Sequence, residues 1–311
     1  MPLQSGRVLV TGGAGFIGSH LVEALLKQGR PVRVIDNLAT GHRSNLEHLD
    51  GYEWVEGDLL DQDACRAACE GAAQVLHQAA VPSVPRSIED PLGSFGSGPT
   101  ATMNLLEAAR QAGASRVVFA ASSSAYGDTE ELPKHEAMLP NPLSPYAAGK
   151  LAGEHYVRVY ARTMGLDGVS LRYFNVFGPR QDPSSPYSGV ISLFNKIMGR
   201  GDRPIIYGDG GQTRDFTYID NVVRANLLAL DSEAPLRGEV FNVGTGEQIS
   251  LLDLVAAMNQ ILGQAIEPEF RPDRPGDVRH SLASLALIER TLGYQPSVGF
   301  AEGLRRTVKA T

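Results

Sequence analysis

Two hydrophobic periods alternate through the first half of the chain. Short apolar or β-branched runs at 8–10, 31–36, 53–56, 75–77, 116–121 and 169–174 read as strands, because buried parallel strands carry near-continuous apolar residues. Between them, apolar residues three and four apart predict helices at 19–28, 61–69, 98–111 and 145–163. Leu21, Val22, Leu25 and Leu26 share one face of the first helix, and Gly29 stops it. Strand and helix in alternation predict an α/β fold, a doubly wound parallel sheet covered on both faces. Ligands of such sheets bind beyond the carboxyl ends of the strands. The loops at 12–18, 36–43, 58–60, 78–88, 122–127 and 174–190 are therefore expected to share one rim.

The first of those loops carries Gly12, Gly13, Gly15 and Gly18 between a strand and a helix. One glycine permits the tight turn, one admits the backbone to a pyrophosphate, and one lets helix and strand pack closely. The helix start then offers unpaired N–H groups to phosphate. Asp36 ends the second strand, 18 residues past Gly18. A carboxylate there accepts the adenosine ribose hydroxyls and repels a 2′-phosphate, which favours NAD over NADP. Strand, turn, helix, second strand and acid stand in the order this motif requires, so the first half reads as a Rossmann-type domain.

From about residue 175 the texture changes. Pro and Gly thicken at 178–186 and 199–211, and helices are predicted at 188–198, 221–230 and 251–262, with short strands near Ile205, Phe216 and Phe241. This reads as a smaller mixed α/β lobe packed over the rim. The expected division is 1–174 for the NAD-binding domain and 175–311 for the substrate lobe, with some segments past 210 rejoining the large sheet.

Composition narrows the partners. The 311 residues are 42% apolar and 20% charged, and 28 basic against 35 acidic residues leave a net charge of −7. With no long basic run, nucleic acid and a basic membrane-surface helix are excluded as expectations. The polar stretch 1–6 is not a secretory leader, and no segment approaches a membrane span. Cys65 and Cys69, four apart in a helix, read as buried small residues rather than a disulfide or a metal set. A reducing cytoplasm fits.

Two further patterns carry chemistry. Tyr146 and Lys150 lie four apart on a helix and so share a face. A phenol with a pKa near ~10 is a poor base at neutral pH, and adjacent cations, here Lys150 and a nicotinamide ring, would lower it. Ser122, Ser123 and Ser124 follow the strand 116–121 directly, which places hydroxyls on the binding rim.

On these residues the chain resembles the extended short-chain dehydrogenase/reductases, in particular the branch of UDP-N-acetylglucosamine/UDP-glucose 4-epimerases. The likeness spans nearly the whole length through 11–18, Asp58-Leu59, 77–80, 83–87, 122–128, 144–150, 171–181, 213–216 and 276–283. It implies NAD as cofactor, Ser122 and Tyr146 as catalytic hydroxyl and base, and Lys150 as the base's partner. It places Asp58 and Leu59 beside the adenine. Gly12, Gly15, Phe16, Ile17, Gly18, Asp36, Asn37, Gln78, Ala79, Ala80 and Phe174 complete the implied cofactor site. Asn175, Gln181, Arg214 and Arg274 fall around the UDP diphosphate and sugar, with Ser83, Ser123 and Ser124 alongside. Arg forks suit phosphate oxygens.

The implied reaction inverts C4 of a UDP-hexose through a transient 4-keto sugar. Ser123 and Ser124 stand where related dehydratases carry an Asp-Glu pair, and a simple 4-epimerisation needs no such acid and base. Ser281 matches a position that is either a bulky Tyr or small, so N-acetylated sugars are expected to be accepted. Gly98 stands where relatives have an Asn, which implies one lost hydrogen bond to the cofactor and weaker NAD retention. The resemblance also implies a homodimer through a four-helix bundle of 98–111 and 145–163, with Met103, Leu106, Val157 and Tyr160 on the outer faces. Two rivals stay open: a UDP-uronic acid 4-epimerase using Arg86 or Arg180 for the sugar carboxylate, and a non-catalytic NAD-binding sensor.

Overall fold

The computed structural model describes residues 6–183, 189–273 and 278–308. In chain order the first half forms β1 (Arg7–Thr11), α1 (Phe16–Lys27), β2 (Val32–Asp36), β3 (Tyr52–Glu56), α2 (Gln62–Cys69), β4 (Ala72–His77), α3 (Val84–Glu89), α4 (Pro91–Phe95), α5 (Ala101–Gln111), β5 (Arg116–Ser122), α6 (Pro145–Thr163) and β6 (Asp167–Tyr173). The second half forms β7 (Val176–Phe177), α7 (Val190–Met198), β8 (Ile205–Tyr207), β9 (Thr213–Arg214), β10 (Thr217–Tyr218), α8 (Ile219–Asp231), β11 (Glu239–Val243), β12 (Ile249–Ser250), α9 (Leu251–Leu262), β13 (Glu269–Arg271), α10 (Ala286–Leu292) and α11 (Phe300–Val308).

One all-parallel sheet of seven strands runs β3–β2–β1–β4–β5–β6–β11. The chain winds outward from β1 to β3, then crosses back to lay β4 on the other side of β1. That reversal leaves a crevice at the carboxyl ends of β1 and β4, where open α/β sheets take their ligands. β11 pairs with β6 from Glu239↔Val169 to Val243↔Tyr173, so a segment past 210 does rejoin the sheet.

Successive side chains of each strand divide between two cores. Val8 and Val10 of β1 face a layer with Leu21, Val22 and Leu25 of α1 and Val222 and Ala225 of α8. Leu9, between them, faces Cys65 of α2, Leu105 of α5 and Val157 of α6. β5 repeats the split, with Val118 and Ala120 on the first face and Val117 and Phe119 on the second. Each such fully buried aliphatic side chain contributes about 1.5–3 kcal/mol, which is why these strands are apolar along their whole length.

Two expectations need correction. The helix predicted from 98 starts at Ala101, after a wide five-residue turn, Gly96–Thr100. Pro99 lies inside that turn and has no N–H to donate, so the ladder widens there. Leu106, Val157 and Tyr160, assigned to outer faces, are instead 1%, 1% and 6% exposed and pack within the chain. Met103 does face out, as does Val159 of α6.

Outside the large sheet, the second half forms short pairs: β7 with β10 and β8 with β13, both parallel, and β9 with β12, antiparallel. Phe216 lies just before β10 rather than in it, α8 is longer than predicted, and residue 188 of the predicted helix lies outside the described residues. Among the described residues no helix is long and apolar enough to cross a membrane. Cys65 and Cys69 are buried free thiols, which burial pushes up to about 11 and about 12.

Candidate active site

The glycine turn is a cradle that side chains would fill. Gly12 has φ +65°, and a Cβ on it would lie 2.8 Å from the Ala79 backbone. A Cβ on Gly18 would come within 2.1 Å of Gly12 O, and one on Gly13 within 2.5 Å of Val34 Cγ1. Gly15 caps α1 without a side-chain acceptor, so the N–H groups that open this helix, beginning with Phe16 and Ile17, keep no side-chain cap. This bare, positive helix end at the sheet's crevice fits a dinucleotide pyrophosphate.

Asp36 stands at the end of β2. One carboxylate oxygen accepts Ala14 N–H at 2.9 Å and the other accepts Leu38 N–H at 2.8 Å. The acid is thus fixed between the glycine turn and the following loop. Asn37 donates to Asp58 at 2.9 Å, and Leu60 N–H donates to the same carboxylate at 2.9 Å, which ties the ends of β2 and β3 together around Leu59. On the other side of the crevice, the Gln78 amide donates to Asn226 at 3.2 Å and accepts Tyr173 O–H at 3.2 Å. Its side chain is therefore spent inside, while Ala79 and Ala80 line the rim.

Ser122, Tyr146 and Lys150 come together. Ser122 ends β5, and Tyr146 and Lys150 occupy the first two turns of α6. That helix begins where it does because Pro145 sits at its first position and Ser144 Oγ accepts Ala147 N–H at 3.1 Å. Ser122 is the polar group that acts to lower the buried Tyr146 phenol. Ser122 Oγ also accepts Ser124 Oγ–H at 2.7 Å and Ser124 N–H at 3.2 Å. Lys150 Nζ donates to Ala120 O at 2.7 Å and lies 6.0 Å from the Tyr146 ring centroid. Burial raises the phenol above the ordinary tyrosine range, and Ser122 acts against it. The sequence had Lys150 lowering that pKa; in this structure the lowering contact is Ser122. Burial pulls Lys150 down to about 8, with Glu154 one turn on opposing it. A small cleft of about 20 Å³ beside the pair is lined by Ala80, Val81, Ser94, Ser97, Gly98 and Gly149.

The residues expected around the sugar nucleotide divide. Asn175 is exposed, and its carbonyl accepts Thr217 N–H at 3.2 Å. Gln181 donates to Val176 O at 3.2 Å. Arg214 is held by Thr213 O at 2.9 Å and Arg279 O at 3.2 Å, and Ser281 N–H donates to Thr213 O at 3.1 Å, so Arg214 and Ser281 share one frame. Ser83 is buried and caps α3 by accepting Arg86 N–H at 3.2 Å. Ser123 lies in the turn after β5 with Ser124. The Phe174 ring is fully buried against Tyr126, 6.2 Å between centroids. Arg274 lies outside the described residues. Arg180 is committed to Glu23 at 2.6 Å.

Sequence reasoning missed two groups. Buried Asp215 accepts Thr245 N–H and Oγ–H at 2.8 Å each, Gly246 N–H at 3.0 Å and Ala283 N–H at 3.2 Å. It thereby clamps the segment of Arg214 to that of Ser281. His77, at the end of β4, is buried between Thr11 and Thr102. Both fall in motif stretches, 77–80 and 213–216, but neither role is readable there because the partners lie far away in sequence.

The chain is similar to known proteins along most of its length. The NAD dependent epimerase/dehydratase family matches residues 8–244. A UDP-glucose 4-epimerase of Mycolicibacterium smegmatis is 42% identical over 308 residues, 97% of each chain. The structure of a UDP-N-acetylglucosamine 4-epimerase from Methanobrevibacter ruminantium, in complex with UDP-N-acetylmuramic acid, superposes with a TM-score of 0.94 at 38% identity, covering 99% of this chain and 98% of that one. A Thermus thermophilus UDP-glucose 4-epimerase in complex with NAD gives a TM-score of 0.89 at 42% identity, covering 98% of both. With the glycine cradle, the acid at the end of β2 and the match over most of its length, the chain belongs to the NAD dependent epimerase/dehydratase family.

Proposed function

We propose that this protein is an NAD-dependent 4-epimerase of UDP-hexoses, with Tyr146 as its base. The observation that carries the reading is the Ser122–Tyr146–Lys150 group at the carboxyl end of the sheet, beside the cleft at Gly98. NAD, which the glycine cradle and Asp36 would hold, would supply the hydride acceptor and donor for C4. Tyr146, as phenolate, takes the proton of the sugar 4-hydroxyl and later gives it back. Ser122, the group that already acts on the phenol to lower it, orients that exchange. Lys150, fixed by Ala120 O, is the cation that holds the nicotinamide ribose. Arg214 and Arg274 grip the diphosphate, so the sugar can swing while UDP stays bound. Ser123 and Ser124 offer no acid or base for elimination or decarboxylation.

A small Ser281, framed with Arg214, leaves room for an N-acetyl group, so both UDP-glucose and UDP-N-acetylglucosamine are substrates. Two copies pair through α5 and α6, where Met103 and Val159 are exposed; light scattering that gives only monomer at micromolar concentration would dismiss the pairing. The protein works in the cytoplasm. The test of the reading is incubation with each UDP-sugar and no added reductant. The 4-epimer should form, and Tyr146→Phe should lower turnover by about 10²–10⁴-fold, the range for losing a general base. Substantial turnover by Tyr146→Phe would refute the base.

A further inference from the structure

The turn Gly96–Thr100 forms one wall of the catalytic cleft; Ser97 Oγ ties its start to Gly93 O at 2.9 Å, and no side chain at Gly98 ties its middle. Gly98 has no side chain, and a Cβ there would meet nothing within 4 Å. Below the turn lies an unbroken line of hydrogen bonds, buried at its centre and part-buried at its two ends. Ala79 N–H, on the rim, donates to Thr11 Oγ1 at 3.2 Å. Thr11 Oγ1 meets His77 Nδ1 at 2.8 Å, and His77 Nε2 meets Thr102 Oγ1 at 3.1 Å. Thr102 Oγ1 reaches Gly98 O at 2.8 Å.

The proton positions along this line follow from counting donors. A carbonyl only accepts, so Thr102 spends its one O–H on Gly98 O. His77 Nε2 must then carry the hydrogen that Thr102 Oγ1 accepts. The neutral imidazole leaves Nδ1 bare, and Thr11 O–H donates to it. Every member is satisfied in one arrangement only, and a buried network of that kind is stiff.

We infer that His77 is a positioning residue for the reaction: as the Nε2–H tautomer it ties the cofactor rim at Thr11 and Ala79 to the Gly98 carbonyl, and so holds the turn that walls the Tyr146–Lys150 cleft. The line does from below what no side chain at 98 does from within. Burial, with the Lys150 charge second, keeps the imidazole neutral by holding it down to about 3. The inference rests on Tyr146 and Lys150 being the reacting pair, since the wall has no consequence otherwise.

Thr102→Val keeps the shape and deletes the hydroxyl; Thr102→Ser keeps the hydroxyl. With the full chain saturated in NAD and UDP-glucose as probe, kcat of Thr102→Val should fall about tenfold or more, because a wall displaced by a fraction of an ångström misaligns the reacting atoms. KM for UDP-glucose should stay within about twofold and Thr102→Ser should recover kcat, a split that general destabilisation does not produce. An unchanged kcat in Thr102→Val, or an equal loss in both variants, overturns the inference. Nitrogen NMR of the wild-type holoenzyme, with His77→Gln used for assignment, tests it without reliance on a variant's folding. Nε2 should be protonated and Nδ1 bare across neutral pH; an Nδ1–H tautomer or a titrating ring overturns it. Tyr146→Phe separates the two failures: if it is inactive while Thr102→Val is normal, only the His77 role falls, and if it is active, the underlying pair falls with it.

Discussion

Lys150 stands one turn beyond Tyr146 on the same face of α6, but its ammonium bonds Ala120 O at 2.7 Å, and the contact that lowers the phenol is Ser122. Burial meanwhile raises the phenol, so it is neutral at physiological pH when NAD is absent. A bound, positively charged nicotinamide ring would supply the charge that lowers it. Ultraviolet difference titration of wild type against Tyr146→Phe should place this ionisation above the ordinary value near ~10 without NAD, and lower with it. Ionisation below that value without NAD would contradict the account.

NAD retention should be weak, and Gly98 is the reason. The position has open space around a Cβ, so Gly98→Asn should fit without displacing anything. It should tighten NAD by about 1 kcal/mol, the net worth of one ordinary hydrogen bond. Calorimetric titration after dialysis checks this; near-stoichiometric NAD surviving dialysis of the wild type, or an unchanged affinity in the variant, would count against it.

Ser281 shares with Arg214 the frame that Thr213 and Asp215 hold together. Ser281→Tyr should lower kcat/KM for UDP-N-acetylglucosamine relative to UDP-glucose by about tenfold or more, as expected when bulk fills the space of an acetyl group. An unchanged ratio of the two activities would remove Ser281 from the sugar pocket.

Acid should destabilise the fold before its carboxylates titrate. Burial holds His77 at about 3 in the folded chain, against 6.5 for the free side chain. Because the folded value is the lower one, protons bind the unfolded chain first as pH falls. The stabilisation is whole above about 6.5 and is lost progressively toward about 3. Between about pH 7 and about pH 5 the His77 share is about 2 kcal/mol. His20, held near 4 mainly by burial, acts in the same direction. Urea midpoints should fall across that interval, and less so in His77→Gln; equal slopes would contradict the assignment.

How much of this was legible in the sequence depends on the range of each interaction. The sheet strands, the glycine cradle and the Tyr146–Lys150 spacing were readable because each is set by residues within a turn or a strand of one another. The helix is read from 98 rather than 101 because nothing in the sequence separates the end of the turn 96–100 from the helix that follows; Pro99, without an N–H, widens the ladder there. Leu106, Val157 and Tyr160 were placed outside because a helix pattern shows an apolar face but not what covers it. Asp215 and His77 fall in stretches that carry the resemblance, but their roles are not readable there, since Asp215 binds residues about thirty and seventy positions away and His77 binds residues 66 and 25 away.

The most direct test of the central claim follows the hydrogen itself. UDP-glucose carrying deuterium at C4 is incubated in ordinary water with the purified protein and NAD, and the products are read by NMR. If the C4 hydrogen is held on the bound cofactor and given back while Tyr146 moves only the hydroxyl proton, the UDP-galactose formed keeps its deuterium at C4. Product that has exchanged that deuterium for solvent hydrogen would contradict the account.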